Sequence, residues 1–317
     1  MSVITIEKNA SKGSKRSRKR FARLDIFLVL AFLCGFGVLV YPPVANFWNS
    51  LQQGKAIAVY NDAVSSMAPA DFAAEWARVD AYNRALSQSR RLNLRPSEAE
   101  ITEYKTLLDP ANNGVMGHIE INKIGVDLPI YHTVDDSVLA VGVGHIPGTS
   151  LPGGGESTHA VFSGHRGLPS SKLFTDLDRV EEGDIFILHV MDRVLYYQVD
   201  QIRIVEPQGI DDLEIMPGKD YVTLVTCTPY AINTHRLLVR GHRVAFSPQG
   251  YVPADAVVMD SVLVSMFMTI PLFTVGCVAY ITARRRRKTR RKLVIARRAE
   301  AGQPATKFWR GFRRHDG

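Results

Sequence analysis

The sequence predicts a mainly β fold: a small closed barrel with a few helices outside it, flanked by two membrane-spanning helices. Three observations predict it. Short β-rich segments separated by turn residues follow residue 114, a segment with helical spacing precedes them, and an uncharged run lies on each side. Many short strands of this kind are typical of a small barrel.

The predicted strands are runs of β-branched and aromatic residues bounded by Gly, Pro, Asn and Asp, which favour turns. The segment 171–177 predicts one short helix, and the glycines at 153–155 predict a surface turn, because no Lys-Ser or Lys-Thr pair follows them to bind phosphate. The predicted strands are 115–121, 126–131, 158–163, 185–190, 194–205, 221–226 and 236–246.

A helix is predicted before the barrel, with Asp71 as its cap. Phe72, Trp76, Val79 and Leu86 recur at helical spacing. We interpret this stripe, including the tryptophan, as packing against the barrel.

Two runs, 26–48 and 261–283, contain no charged residue, and each is long enough to cross a hydrocarbon core of about 30 Å as a helix. A cleaved signal peptide is the alternative for the first run. It is disfavoured, because the basic region is long and residues 42–46 make a poor cleavage site. Eight Lys or Arg residues precede the first run and fourteen follow the second. By the positive-inside rule, both termini should be cytoplasmic and residues 42–256 should lie outside.

The net charge of +8 divides unevenly along the chain. Of the 39 Lys and Arg residues, 22 lie in the two flanks, which leaves 17 in residues 42–256 against 26 Asp and Glu, a net charge of about −9. This balance argues against nucleic acid as a partner of the outer domain. The basic flanks instead suit contact with anionic membrane lipids.

The outer domain contains a single cysteine, Cys227, since Cys34 and Cys277 lie in the apolar runs. A free cysteine most often packs as a small buried hydrophobe. Cys227, however, lies where a predicted strand ends, and Arg236 lies where the next begins, so the two are expected at one rim of a sheet. An unpaired external thiol in that position indicates reactivity.

Residues 223–241 read TLVTCTPYAINTHRLLVRG. This string resembles the signature of sortases, the cysteine transpeptidases of Gram-positive bacteria, in which Thr-Leu-x-Thr-Cys is followed by an Arg about nine residues later. The continuation after the cysteine is similar to class C, the pilus-building branch. Residues 162–167, FSGHRG, resemble the family's histidine motif, and the similarity covers roughly residues 80–246.

The resemblance implies that Cys227 is the nucleophile, His165 the general acid and Arg236 the donor to the oxyanion. The backbone N–H of Thr228 is expected to support the oxyanion, and Thr226 to help position the substrate. The remaining histidines are interpreted as structural or solvated.

Arg240 is the rival to Arg236, because it projects from the same face of a regular strand. It lies about 13 Å further along at about 3.3 Å per residue. A salt bridge or surface role suits it better.

The resemblance also implies the reaction and its partners. The enzyme would cleave an LPxTG-like sorting signal of a pilin or surface protein between Thr and Gly, and would transfer it to a pilin lysine. Alternatives are a cell-wall-anchoring sortase that uses a peptidoglycan amine, and a non-catalytic membrane-anchored adaptor, which the presence of all three catalytic residues disfavours. No metal or organic cofactor is expected.

Class C sortases carry a lid with an Asp-Pro-aromatic anchor, whereas Asp109-Pro110 is followed here by Ala111. The polar segment 87–113 is expected to be mostly loop, and an atypical lid is expected within it, with 92–98 as the candidate. The predicted organisation is a basic cytoplasmic tail, expected to be disordered, at 1–23; a transmembrane helix at 24–48; a helical stalk at 49–79; the extracellular catalytic domain at 80–250; a transmembrane helix at 257–283; and a basic cytoplasmic tail at 284–317.

Overall fold

The computed structural model describes residues 3–89, 92–230 and 232–245, together with scattered helical positions between 275 and 297. Side chains before residue 27 and at several positions up to 32 are not described. The barrel belongs to a compact unit formed by residues 1–257. The predicted second span at 257–283 and the tail at 284–317 lie largely outside the described residues.

Eight strands close into a barrel in the order β1-β2-β3-β4-β7-β8-β6-β5, and β1 pairs with β5 to complete it. The β2–β3 and β4–β7 pairs are parallel, and the other pairs are antiparallel. The predicted barrel is confirmed. The strands are β1 Val115–Ile121, β2 Val126–His132, β3 Val143–His145, β4 Thr158–Ser163, β5 Ile185–Val190, β6 Arg193–Val205, β7 Asp220–Thr228 and β8 His235–Val244.

Side chains alternate across the barrel wall because successive residues of a strand point to opposite faces. In β7, Val222 and Leu224 belong to the main core inside the barrel, whereas Val225 belongs to a smaller cluster on the outer face. The candidate active site lies on the face that carries this second cluster.

Two local predictions differ from the structure. Strand β3 was not predicted, because it has only three residues, too few to show an alternating pattern. The helix predicted at 171–177 is wrong, and a single 3-10 turn at Leu177–Arg179 is present instead. Leu173 has φ +39°, which interrupts a right-handed helix.

The first helix, α1, runs without interruption over Val3–Ser65 and contains Pro42 and Pro43. The expected disorder of residues 1–23 is therefore wrong from Val3 onward; lysine and arginine are good helix formers. Residues 24–48 are helical as predicted, but among the helices that the structure describes, none has the length and apolar character required to cross a bilayer. The predicted flanking membrane helices are thus not supported.

Helices α2, α3 and α4 follow α1 along the chain. Helix α2, Pro69–Ser89, starts two residues before Asp71, so Asp71 lies in its first turn rather than at the cap. Trp76 is buried as predicted, and its indole N–H donates to Asp192 (2.7 Å). Helix α3, Glu98–Tyr104, was expected to be loop, although Ser97 and Glu100 form the capping box that starts it. A one-turn helix, α4, spans Asp136–Leu139.

The glycines at 153–155 form a turn, as predicted. Gly154 and Gly155 have φ +68° and +119°, values that favour glycine. The Gly155 N–H donates to the carboxylate of Asp220 (2.7 Å). A carboxylate therefore binds the backbone donor that a phosphate would need.

Candidate active site

The nucleophile candidate and the arginine candidate are neighbours across two paired strands. In the antiparallel β7–β8 ladder, Cys227 is the direct partner of Arg236, and Thr228 is the partner of His235. Directly opposed residues on such a ladder have Cβ atoms about 4.5–5.5 Å apart. The nine-residue spacing in the sequence is thus that of a hairpin, which places Cys227 and Arg236 directly opposite each other.

His165 reaches the same rim from the parallel neighbour of β7. Ser163, the last residue of β4, is paired with Val225. The Gly164 N–H donates to the Val225 carbonyl (3.0 Å), so the pairing continues one residue beyond the strand. His165 consequently comes level with Cys227 along the direction of the strands.

The three residues share the outer face of the barrel. Val161, Val225 and Leu238 form the apolar cluster on that face, with Leu213 beside them. Cys227 lies two residues beyond Val225, and strand alternation puts it on the same side. By the same alternation, Arg236, two residues before Leu238, and His165, four residues after Val161, also lie on this side. The candidate site therefore has an apolar floor, with Cys227 and His165 both half-buried at its end.

The two candidate arginines on β8, Arg236 and Arg240, have different surroundings. Among the described residues, the guanidinium of Arg236 donates to two carbonyl oxygens of its own loop, those of Asn233 (3.3 Å) and His235 (3.1 Å). Since a guanidinium has five N–H groups, others can serve another acceptor. Arg240 makes two hydrogen bonds to the Asp200 carboxylate (3.0 and 3.3 Å) and lies over the ring of Tyr221 (4.3 Å). The predicted salt-bridge role of Arg240 is confirmed.

The two threonines beside the cysteine are both buried. The Thr226 hydroxyl, 1% exposed, donates to the Gly164 carbonyl (2.8 Å) and so ties β7 to the residue before His165. The expected role of Thr226 in positioning the substrate stays a prediction. The side chain of Thr228 is also buried, and its backbone lies at the end of the β7–β8 ladder.

A contact between the loop after His165 and the loop after Cys227 was not predicted. Tyr230, three residues after the cysteine, packs on Gly167, where a Cβ would lie 3.0 Å from the ring. The Arg166 guanidinium lies 5.8 Å from the centre of the same ring and pairs with Asp178 (2.5 Å). The sequence feature that could have indicated this contact is the glycine in the string His-Arg-Gly. Gly167 has φ +77°, which favours glycine, and it faces an aromatic ring.

Part of the segment expected to form a lid lies over the apolar floor. Leu92 packs against the outer-face cluster. The next residue, Asn93, approaches Gly148 so closely that a Cβ at Gly148 would overlap the Asn93 carbonyl oxygen. The start of the predicted 92–98 segment therefore covers the floor of the site.

Two other histidines are structural, as predicted. His145 and His159 are buried, and burial lowers the pKa of each to about 4. In each, one ring nitrogen is hydrogen-bonded to a backbone carbonyl, of Ser150 (2.8 Å) or Glu214 (2.9 Å), and the other to a hydroxyl group. Neutral imidazoles suit these positions, because one nitrogen donates and the other accepts.

Comparison with known proteins agrees with this geometry. Residues 119–244 match the sortase domain family. A crystal structure of sortase C1 from Streptococcus agalactiae is 47% identical over 61% of this chain and 100% of that chain, with a TM-score of 0.59. The chain belongs to the sortase family.

Sortase C-1 from Actinomyces oris is 42% identical over 56% of this chain and all of that chain, with a TM-score of 0.53. These sortase C neighbours agree with the predicted class C resemblance. Sortase A of Streptococcus agalactiae serotype III is 33% identical over 132 residues, which is 40% of this chain. The matched segment spans about half (52%) of the length of that curated relative.

Proposed function

We propose that this sortase is a cysteine transpeptidase whose catalytic residues are Cys227, His165 and Arg236. The supporting observation is that three separate strand ends bring a thiol, an imidazole and a guanidinium to one rim, above an apolar floor. A thiolate needs a nearby cation to be abundant at neutral pH, and both neighbours can supply one.

In the first half-reaction, the Cys227 thiolate attacks the carbonyl carbon of the threonine in a sorting signal. The oxyanion that forms accepts hydrogen bonds from the Arg236 guanidinium and the Thr228 backbone N–H. The bond to glycine then breaks, and His165 donates its proton to the leaving amine. A thioester on Cys227 remains.

In the second half-reaction, an acceptor amine attacks the thioester carbonyl and gives a proton to His165. The thiolate of Cys227 leaves, and a new amide bond joins donor to acceptor. Proton and nucleophile thus return to their starting positions.

We propose a pilin lysine as the acceptor, so that the product is an isopeptide-linked pilus. The similarity to class C sortases supports this, and one similar structure, 38% identical with a TM-score of 0.54, is described as sortase C1 of a pilus island. The alternative acceptor, a peptidoglycan amine, is supported by the missing Asp-Pro-aromatic triplet.

We also propose that residues 92–98 act as a lid, with Leu92 in place of an aromatic anchor. Its packing on Val225 and its neighbours supports this, because a bound peptide would need the same floor. Deletion of 92–98 should raise peptide turnover; unchanged turnover would argue against a lid.

For location, we propose anchoring in the cell membrane with both termini cytoplasmic. The support is the charge distribution, since each apolar run has its basic cluster on the side away from the domain. Protease added to intact protoplasts should digest residues 42–256 and spare both tails. Digestion of the 284–317 tail would contradict this topology.

The test of the reaction uses the full chain in detergent with an LPxTG peptide and two competing acceptors, a lysine-bearing pilin peptide and a peptidoglycan stem peptide. Intact-protein mass spectrometry should detect a thioester that hydroxylamine releases, and Cys227→Ala should abolish both thioester and product. Preferred transfer to lysine supports pilus assembly, whereas preferred transfer to the stem peptide supports wall anchoring. Absence of a thioester on the wild-type protein would refute the transpeptidase.

A further inference from the structure

The loop that carries His165 is closed at its base. The Phe174 N–H donates to the His165 carbonyl (3.1 Å). Gly164 packs so closely on Phe174 that a Cβ there would lie 2.6 Å from the ring. The chain from 165 to 174 is therefore a single excursion whose ends meet at the catalytic histidine.

The far side of this loop contacts helix α1 through three side-chain amides. The Asn46 Oδ1 accepts from the Lys172 N–H (2.8 Å), and the Asn49 Nδ2 donates to the Ser170 carbonyl (2.7 Å). The Gln53 Nε2 donates to the Ser171 hydroxyl (3.2 Å). Three consecutive loop residues are thus held by side chains more than a hundred positions earlier in the chain.

These amides lie on one face of the helix, because spacings of three and four residues bring side chains onto the same side. The helix is itself fixed to the barrel further along. The Tyr60 hydroxyl donates to the Met116 carbonyl (3.0 Å) and accepts from the Met191 N–H (2.7 Å). Gln53 also donates to the Val141 carbonyl (2.9 Å). The amide face is therefore anchored independently of the loop.

We propose that Asn46, Asn49 and Gln53 are positioning residues: together they hold the 165–174 loop so that His165 faces the Cys227 thiol. This proposal rests on the transpeptidase function proposed above. It makes the geometry of the histidine depend on the part of α1 that contains the end of the apolar run at 26–48 and the two turns after it. A displaced α1 would then weaken catalysis without touching the substrate.

The two asparagines offer a matched test, because they use opposite ends of the same amide. An aspartate at position 46 still accepts from the Lys172 N–H. An aspartate at position 49 loses the donor and places a carboxylate against the Ser170 carbonyl. Both changes add the same charge to neighbouring turns of α1. Gln52→Glu, at an exposed neighbouring position, controls for charge alone.

We expect Asn46→Asp and Gln52→Glu to keep kcat within about twofold of wild type. Asn49→Asp and the uncharged Asn49→Ala should lower kcat about tenfold or more with little change in KM, since a displacement of about 1 Å can cost about a hundredfold. The assay uses the full chain in detergent with the LPxTG peptide. Thermal unfolding of each variant is measured alongside.

A second readout does not require transpeptidation: the rate at which iodoacetamide alkylates Cys227 as a function of pH. If His165 moves away, the thiolate loses a stabilising cation, and the midpoint of this profile should rise in both Asn49 variants but not in Asn46→Asp. His165→Ala defines the full extent of the rise.

The outcomes separate the two proposals. If the wild type forms no thioester with the peptide, yet the alkylation midpoint rises only in the Asn49 variants, the positioning role stands and the proposed reaction fails. If the wild type is active and the Asn49 variants match Asn46→Asp in kcat and alkylation profile, the positioning role is wrong. A lower unfolding temperature with an unchanged profile would likewise assign the amides to stability alone.

Discussion

The two sides of the candidate active site are held in different ways. Cys227 and Arg236 are direct partners in a continuous β ladder, so their separation is set by backbone hydrogen bonds. His165 lies just beyond the end of β4, and side chains position its loop: Thr226 from β7, Tyr230 from the β7–β8 loop and the amide face of α1. The proposed nucleophile is thus held by the barrel itself, whereas the proposed general acid is held by neighbouring side chains.

The difference indicates where substitutions should matter. Replacing a side chain near Cys227 leaves the ladder intact, so only a group with direct chemistry should have a large effect. Around His165, residues that never touch substrate should also affect the rate, because their hydrogen bonds determine where the imidazole lies. Three predictions test this contrast, beginning with the ladder side.

The first prediction compares two arginines on the same strand. Arg236→Lys should lower kcat about a hundredfold, because a point charge cannot reproduce the planar fork and one lost oxyanion donor costs about 3 kcal/mol. Arg240→Lys should leave kcat within about twofold. It should lower the free energy of unfolding by about 1 kcal/mol, since one of two hydrogen bonds to Asp200 is lost.

Steady-state kinetics with the sorting-signal peptide and urea unfolding measure both effects. An inactive Arg240→Lys with an active Arg236→Lys would transfer the oxyanion role to Arg240. It would also mean that the direct pairing with Cys227 does not decide the chemistry.

The second prediction concerns the buried hydroxyl that joins the two sides. Thr226→Val keeps the shape but removes the donor to the Gly164 carbonyl, so the unfolding free energy should fall by about 1–2 kcal/mol. The shift of the His165 loop should lower kcat about tenfold. Thr226→Ser keeps the hydroxyl and should restore kcat.

If Thr226→Val loses stability but keeps full kcat, the hydroxyl serves the fold alone. A KM effect that exceeds the kcat effect would instead favour the substrate-positioning role expected from the sequence.

The contrast also explains what could be predicted from the sequence. Most barrel strands were predicted because β-branched runs between turn residues are a local signal, and the order His165, Cys227, Arg236 was accessible through the resemblance. The pairing of strands, in contrast, is not a local property of the sequence. Local patterns do not indicate that β4 and β7 are parallel neighbours, although that pairing brings His165 beside Cys227.

Long-range side-chain contacts were likewise beyond prediction. Asn46 and Asn49 are ordinary polar residues near the end of an apolar run, and nothing in their spacing identifies a loop more than a hundred residues later as their partner. Nothing in the local sequence indicates the positive φ of Leu173, so a short helix was predicted where the chain turns instead. The capping box at Ser97 and Glu100 was a readable signal that the prediction of a loop did not use.

The last prediction separates a histidine of the barrel wall from the histidine of the rim. His159 lies on β4, six residues before His165, and burial lowers its pKa to about 4. The folded state therefore keeps it neutral, while the unfolded chain binds a proton below about pH 6.5. Above that pH its full contribution to the free energy of unfolding is present, and this contribution is lost as the pH falls toward about 4. The loss between about pH 7.5 and 5.5 is about 1 kcal/mol.

Urea unfolding of His159→Gln should show a weaker fall in stability over this range, even if the variant is less stable at the higher pH. His235→Gln, at a solvent-exposed position, should retain the wild-type fall. If His159→Gln retained it as well, the acid sensitivity would arise elsewhere, and the neutral state assigned to this buried imidazole would be wrong.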